Sequence, residues 1–318
     1  MNARLARLVL RRIGAALCSL LFVVVAIFAL TAALPGDVAD MLLGQNATPD
    51  ATQALRHALH LDQPLWLRFM HWCGGMLHGN AGNSLLTGRP VSEMLAPRLY
   101  NSLLLAGATT LVAVPLALVL GLACATWRDS VFDRVMTVLT LGIVSVPAFL
   151  IATVSVFVFA VQFRVVPALS DIRSIHSVGQ FFLTFAMPVA TLASITMAQM
   201  IRMIRACMID VFSAPYMEMA VIKGVPPVRI MLHHALPNAI GPVANAIALS
   251  LSSLLGGVVV IETIFNYPGL AQLMVDSVMS RDVPIIQACT LLFCMTYLFL
   301  TTLADIVALA SVPKGRGA

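Results

Sequence analysis

Charge is scarce in this sequence. Of its 318 residues only 10% are Asp, Glu, Lys or Arg and 60% are hydrophobic, whereas an ordinary soluble domain carries roughly 25% charged residues. Lysine occurs twice, at Lys223 and Lys314. No Gly-x4-Gly-Lys-[Ser/Thr] loop is present to hold nucleotide phosphates. Neither an HExxH metal motif nor a Gly-x-Ser-x-Gly nucleophile elbow occurs. The cysteines form no CxxC pair, so the usual redox and zinc signatures are missing too.

What the chain does have is apolar length. Asp, Glu, Lys and Arg are all absent from six runs: Ile13–Leu34, Leu99–Trp127, Val135–Phe163, Ser174–Ile201, Ala235–Ile261 and Val283–Ala304. Each reaches the ~20 residues that a helix needs to cross the hydrocarbon layer. The expected fold is therefore all-α and polytopic, with six transmembrane helices. Arg4, Arg7, Arg11 and Arg12 precede the first run, as in a signal peptide. That run, however, outlasts the roughly 15 apolar residues of a signal core, and no small-x-small site closes it. It is read as a retained span.

No charged residue falls in the middle of a run; Asp305 lies near the inner end of the sixth. Proton-driven carriers and ion pathways usually place carboxylates, His or Arg within the membrane. Proton-coupled transport by this chain alone is thus not expected, while sodium coupling through hydroxyls and carbonyls stays open. If a solute moves uphill, another subunit supplies the energy.

Basic residues set the orientation. With both termini cytoplasmic, 12 of the 19 Lys and Arg lie inside, including Arg128, Arg134, Arg202, Arg205, Lys223 and Arg229. The two shorter outer loops hold only Arg164, Arg173 and Arg281. The segment between Pro35 and Arg98 is long enough to escape the positive-inside rule. The net charge of +5 is then a topology signal and gives no support to a nucleic-acid role. In this orientation only Cys73 is external, so no internal disulfide is expected outside. The chain divides into a cytoplasmic tail (1–12), a first transmembrane helix (13–34), an external helical segment (35–98), a five-helix core (99–311) and a cytoplasmic tail (312–318).

Within the external segment, Thr48-Pro49-Asp50 is a helix start, with Thr48 as N-cap and Pro49 in the first turn. Leu55, Ala58 and Leu59 mark one apolar face. Asp62-Gln63-Pro64 starts a second helix, with Leu65, Trp66, Phe69 and Met70 to bury. Gly74-Gly75 and the stretch Gly79–Ser84 should break it. His57, His60, His71 and His78 also lie here, and His57 and His60 share a helix face as a possible metal pair. No third ligand is fixed by spacing, so they are read as surface or capping residues and no metal site is assigned.

Inside the spans, Pro115, Pro147 and Pro188 should interrupt helices. The fifth run carries Ser250–Gly257, in which Ser252/Gly256 and Ser253/Gly257 are small pairs four apart. Such pairs allow close helix approach; Ser250, Ser253, Gly256 and Gly257 serve either packing or a polar path. No internal repeat is visible.

Between the fourth and fifth runs the chain reads YMEMAVIKGVPPVRIMLHHALPNAI, from Tyr216 to Ile240. Ser213 can cap a short helix with Pro215 in its first turn. Glu218 sits early in it and Lys223 late, both favourable for the helix dipole. Gly224 supplies a left-handed C-cap, and Pro226-Pro227 starts a second helix running to Ala235. A helix–turn–helix elbow over 210–238, projecting into the cytoplasm, results. Small Ala220 would let another protein approach closely.

Glu218-Met219-Ala220, three residues, Gly224, nine residues, His234, Ala235 and Leu236-Pro237 resembles the coupling motif of ABC-importer permeases. That pattern is Glu-Ala-Ala-x3-Gly-x9-Ile-x-Leu-Pro; Met219 and His234 depart from it. Glu262–Ala288 (ETIFNYPGLAQLMVDSVMSRDVPIIQA) resembles the segment after the fifth helix in the dipeptide/oligopeptide/nickel permease family. LPGD (Leu34–Asp37), LDQPL (Leu61–Leu65) and GNAGNS (Gly79–Ser84) resemble that family's long-first-loop member, with Asn80 where Asp is usual. SVPKGR from Ser311 replaces the usual Asp-Pro-Arg ending.

The resemblance implies the type I ABC-importer permease fold in a bacterial inner membrane. Partners would be a second, similar permease, two ABC ATPase subunits and a periplasmic solute-binding protein, besides membrane lipids. No cofactor is expected in this chain, because ATP and Mg would bind the ATPases. Glu218, Ala220, Gly224, Leu236 and Pro237 would carry ATPase coupling. The solute would be a di- or oligopeptide or a related small solute, with nickel as the alternative. Rival classes are a secondary carrier or channel, which needs no ATPase, and an intramembrane enzyme, which needs a buried catalytic constellation. No catalytic residue is assigned.

Overall fold

The computed structural model describes residues 3–33, 43, 48–58, 62–170 and 177–310. The helices are α1 (Ala3–Ala32), α2 (Pro49–Ala58), α3 (Leu65–Leu77), α4 (Val91–Thr126), α5 (Val131–Ser145), α6 (Ala148–Ser155), α7 (Val178–Phe212), α8 (Pro215–Ile222), α9 (Pro227–Ile230), α10 (Leu236–Ile264), α11 (Leu270–Ser280) and α12 (Val283–Ala310). Wider π turns extend α6 over Val156–Gln162 and join α9 to α10 over Met231–Ala235. Among the described residues there is no strand, only an isolated bridge between Asn83 and Pro90. The LPGD stretch and the SVPKGR ending lie outside the described residues.

Five helices are long and apolar enough to cross a membrane: α1, α4, α7, α10 and α12. The third expected span, Val135–Phe163, falls on the bent pair α5 and α6, which meet at 103°, the geometry of a broken span or a re-entrant loop. Pro147 causes the break. A residue before proline is driven out of the helical region, and Val146 accordingly sits at φ −95, ψ 132. The Pro147 carbonyl then starts the next helix by accepting from Leu150 and Ile151 at 3.0 and 3.3 Å.

Pro115 and Pro188 behave differently from expectation, since α4 and α7 run on through them. For Pro188 the reason is visible. Its missing N–H frees the carbonyl of Thr184, and the Ser170 hydroxyl donates to that carbonyl at 3.0 Å. Re-satisfying the freed group lets the helix continue.

The chain forms two compact units. The larger comprises residues 1–17, 103–267 and 296–318. Here α10 packs along α7, and α7 also packs on α5 and α6. One core cluster gathers Ala117, Cys124, Met200, Ile204, Met208 and Val243. Another gathers Leu105, Phe185, Leu192, Val258, Phe265 and Tyr267. Near the start of α1, Arg12 pairs with Asp305 at 3.1 Å.

The smaller unit comprises residues 18–102 and 268–295. Val91, Leu95, Leu270, Leu273, Ile285 and Cys289 form its core. Polar contacts fix the segment after α10 to α4. Asn101 donates to the Pro268 carbonyl at 2.8 Å, and the Ser102 hydroxyl accepts from the Leu270 amide at 2.7 Å. Arg281 ends α11 in the left-handed region (φ 55), which brings Asp282 back as an acceptor. The buried Asp282 carboxylate takes the Ser84 hydroxyl and, at 3.1 Å, the Leu85 amide. These pairs join GNAGNS to the MSRD stretch of the longer motif.

In the external segment the Thr48 cap is present, its hydroxyl accepting from Ala51 at 3.3 Å. The side chains of Leu55, Ala58 and Leu59 lie outside the described ones. Two expectations for α3 fail. The helix buries none of its residues, so Leu65, Trp66 and Met70 are exposed. It also continues through Gly74-Gly75 to Leu77. Gly75 serves the following turn instead: the Asn80 amide returns to the Gly75 carbonyl at 2.9 Å, and a Cβ at Gly75 would sit 2.8 Å from the Asn80 carbonyl oxygen.

Candidate coupling site

The elbow begins where α7 ends. Ser213 does not cap α8; it closes α7, donating its hydroxyl back to the Ile209 carbonyl at 2.9 Å. The first turn of α8 is instead set by the Ala214 carbonyl, which accepts from Met217 at 2.9 Å. Pro215 follows with no amide hydrogen to waste, as at a helix start. After α8, Gly224 adopts φ +73, and nothing lies within 4 Å of where its Cβ would be. Space is free at this position; the backbone conformation alone calls for glycine.

The second arm departs from the expected separate helix. The Pro226 carbonyl accepts from Arg229 and Ile230, starting α9, and the helical path then widens through Met231–Ala235 directly into α10. Pro237 has no N–H for the carbonyl four residues back, and the widened turns fall just before it. The arm is thus the first part of a membrane-crossing helix.

Met217, Ile230 and Ala235 are buried and root both arms in the cluster that contains Cys124, Ala125, Ile204 and Met208. The tip presents exposed Met219, Ile222 and Val228. Lys223, Pro226 and Arg229 are exposed beside them. Side chains of Glu218 and Ala220 lie outside the described ones; their backbone is in α8. Leu236 is half-buried and Pro237 exposed at the start of α10.

One feature was not read from the sequence. Arg205, on α7 before the elbow, forks onto Asp133 at the start of α5, with contacts of 2.6 and 2.7 Å. Asp133 is only 2% exposed. Its carboxylate also accepts the Asp129 amide at 3.0 Å, while its own amide donates to Ser130 Oγ at 3.2 Å. The Ser130-x-x-Asp133 spacing is a capping-box signature and was the available clue. Which basic residue faces it depends on how α5 and α7 pack, which local spacing does not encode.

The small residues of α10 separate into two groups. Ser250 is buried, donating to the Ala246 carbonyl at 3.0 Å, and a Cβ on Gly257 would meet Leu192 of α7 at 2.9 Å. Ser253 and Gly256 are exposed. The Ser253 hydroxyl reaches the Ser250 carbonyl at 2.8 Å and Gln199 Oε1 at 3.2 Å, and Gly256 has open space around it.

Among the described residues no group of three or more His, Cys, Asp or Glu is placed to hold a metal ion. His57 pairs with Asp62 at 2.8 Å, and His78 Nδ1 lies 2.7 Å from the Gly74 carbonyl. All six cysteines are free thiols, and burial pushes the Cys73 thiol above its usual range.

Membrane-crossing helices with an exposed elbow continuous with one of them define a polytopic membrane component. Two family profiles match the sequence: the binding-protein-dependent transport system inner membrane component over residues 117–317, and the N-terminal part of such a membrane component over residues 5–94. The chain belongs to this family. It is the permease of an ABC importer, a transport component rather than an enzyme. Its relatives include a probable peptide ABC transporter permease protein, y4tP, of Sinorhizobium fredii, 34% identical with 97% of this chain and 98% of the relative covered. The glutathione transport system permease protein GsiC of Salmonella typhi is 35% identical over the same shares of the two chains. GsiC of Escherichia coli strain K12 is 33% identical, again over 97% and 98%.

Proposed function

We propose that this chain forms half of the translocation pathway for di- or oligopeptides, or a related small solute, in a bacterial inner membrane. Its termini are cytoplasmic, following the distribution of Lys and Arg. A second, similar permease completes the pathway, two ABC ATPases dock on the elbow, and a periplasmic binding protein delivers the solute. ATP and Mg belong to the ATPases. The relatives named for peptide and glutathione transport favour peptides over nickel.

The observation that carries this reading is the continuity of the elbow with α10. A push on the exposed tip at Met219, Ile222 and Val228 is received by an arm that continues as a membrane helix. Gly224, Leu236 and Pro237 shape that arm, and Glu218 and Ala220, which the resemblance assigns to coupling, belong to α8 ahead of it. Met217 and Ile230 share the core with Ile204 and Met208 of α7, so α7 is displaced with it. Tight packing transmits such displacements because interiors are nearly incompressible.

The test is gentle purification from the native membrane, identification of the companions, and measurement of ATP hydrolysis by the assembly with candidate solutes. Peptide-stimulated hydrolysis in a complex with two ATPases and a second permease is expected. Uptake by the chain alone, with no ATPase needed, would establish a secondary carrier instead.

A further inference from the structure

We infer that α3 is an interfacial helix that seats a membrane phospholipid against the end of α1, with an acyl chain in the groove between them. The inference needs only that α1 spans the membrane, not its orientation or the identity of the solute.

The groove has a volume of about 390 Å³ and every residue lining it is apolar, among them Val25, Ala29 and Ala32 of α1 and Leu65 and Trp66 of α3. Phe28 closes it by packing on Phe69 and Trp72, with ring centroids 5.2 and 5.8 Å apart. An apolar groove of this kind fits a hydrocarbon chain and leaves the polar groups of a ligand without partners. One turn before Val25 along α1, Leu21 and Phe22 are exposed. On a spanning helix that surface is met by acyl chains, so the occupant follows from its neighbour.

The composition of α3 agrees. Its sequence LWLRFMHWCGGML has no Asp or Glu, and none of its residues is buried. Trp66 is 67% exposed and Leu77 86%, with Leu65 and Met70 also exposed. Apolar exposure on this scale is costly in water, and Trp is the residue that favours the headgroup layer. Arg68, one residue before Phe69, pairs with no carboxylate among the described residues. Its aliphatic stem can lie along the apolar surface while the guanidinium reaches a lipid phosphate.

The experiment uses the full chain in phospholipid nanodiscs, alone and within the complete transporter. Trp72→Phe and Trp127→Phe leave Trp66 as the one indole of this chain, which has three Trp, and in the complete transporter its signal is read as the difference from a sample that also carries Trp66→Phe. Phospholipids brominated near the top of the acyl chain should quench Trp66 strongly in both preparations, and those brominated near the methyl end weakly. Absence of quenching in the isolated chain would place α3 in water. Quenching lost on assembly would assign the groove to another subunit, and stronger quenching by the deep bromines would put α3 in the hydrocarbon; each outcome overturns the inference. Filling the groove by Ala29→Phe, or by Ala32→Phe one turn on, should lower severalfold the phospholipid retained per chain in native mass spectrometry. Assembly, read in the same spectra, should stay normal. Unchanged lipid retention in both assembled variants would remove the acyl chain from the groove.

Discussion

The elbow over 213–235 and the turns over 79–90 with 265–282 are both punctuated by Gly and Pro, yet they keep their shapes differently. The elbow is shaped by its own backbone. Its turns close over three or four residues, from Ala214, Met219 and Pro226, and its exposed tip makes Gly224 a matter of φ alone. The second region is held from far along the chain. Asp282 accepts from Ser84 and Leu85, nearly 200 residues earlier, and Ser102 accepts from Leu270. A locally shaped device can be moved as a lever while its turns stay intact; one pinned by a remote carboxylate and a remote hydroxyl behaves as a fixed frame.

The comparison breaks most severely if the elbow's support is removed. Arg205→Met should leave the Asp133 carboxylate buried without its cation, a loss of about 3–5 kcal/mol for a buried pair cut on one side. Thermal unfolding of the solubilised permease should show it as a large drop in the midpoint. Asp133→Leu combined with Arg205→Met should recover most of the loss, because an apolar pair needs no compensating charge. A mild effect in the single variant would mean that water reaches Asp133 and that the elbow's root is looser than its geometry.

Of comparable size is the effect on the frame. Asp282→Ala removes two hydrogen bonds to a charged acceptor, each worth about 1.5–3 kcal/mol. Hydrogen exchange should accelerate at Ser84–Val91 while the elbow amides keep their rates. Acceleration at both places would erase the distinction between frame and lever.

Gly224→Val sharpens the other side. A β-branched residue at positive φ is strained by about 1–3 kcal/mol, with no steric contact to add to it. Insertion and abundance should stay near normal, while ATPase co-purification or solute uptake falls at matched permease levels. Normal uptake would remove the coupling role of Gly224.

The same contrast explains what was legible in the sequence. The Thr48 cap, the left-handed Gly224 and the break at Pro147 are decided within one turn of the chain, and local spacing announced them. Five of the six uncharged runs match helices long and apolar enough to cross, because length and polarity decide membrane crossing, and the third falls on the bent pair α5 and α6. The Arg205–Asp133 and Asp282–Ser84 pairs depend on packing between distant segments, and nothing local marks the partner. Ser213 was misread because a hydroxyl at a helix junction can serve either end, and here the preceding helix takes it. The continuity of Pro188 rests on Ser170, which is likewise remote. The exposure of Leu65, Trp66 and Met70 failed for another reason: apolar residues outside a predicted span were assumed to need a protein core.

The smallest expected effect separates packing from passage within α10. Gly257 faces Leu192, and an added Cβ at 2.9 Å meets the flexible end of that side chain, which can turn aside. Gly256 has nothing within 4 Å, and it is exposed. Alanine is the better helix residue by about 0.5–1 kcal/mol. Gly256→Ala should therefore leave thermal stability level or raised by that amount. Gly257→Ala should come out near neutral, because displacing Leu192 offsets the same gain. Transport should rank them the other way. An exposed glycine in mid-helix gives up helix propensity without packing return in its own chain, and under the proposed function the return is expected from whatever approaches it in the assembly. Uptake should fall severalfold with Gly256→Ala and hold with Gly257→Ala. Equal, near-normal uptake in both would confine these glycines to helix packing and move the pathway to another face of α10.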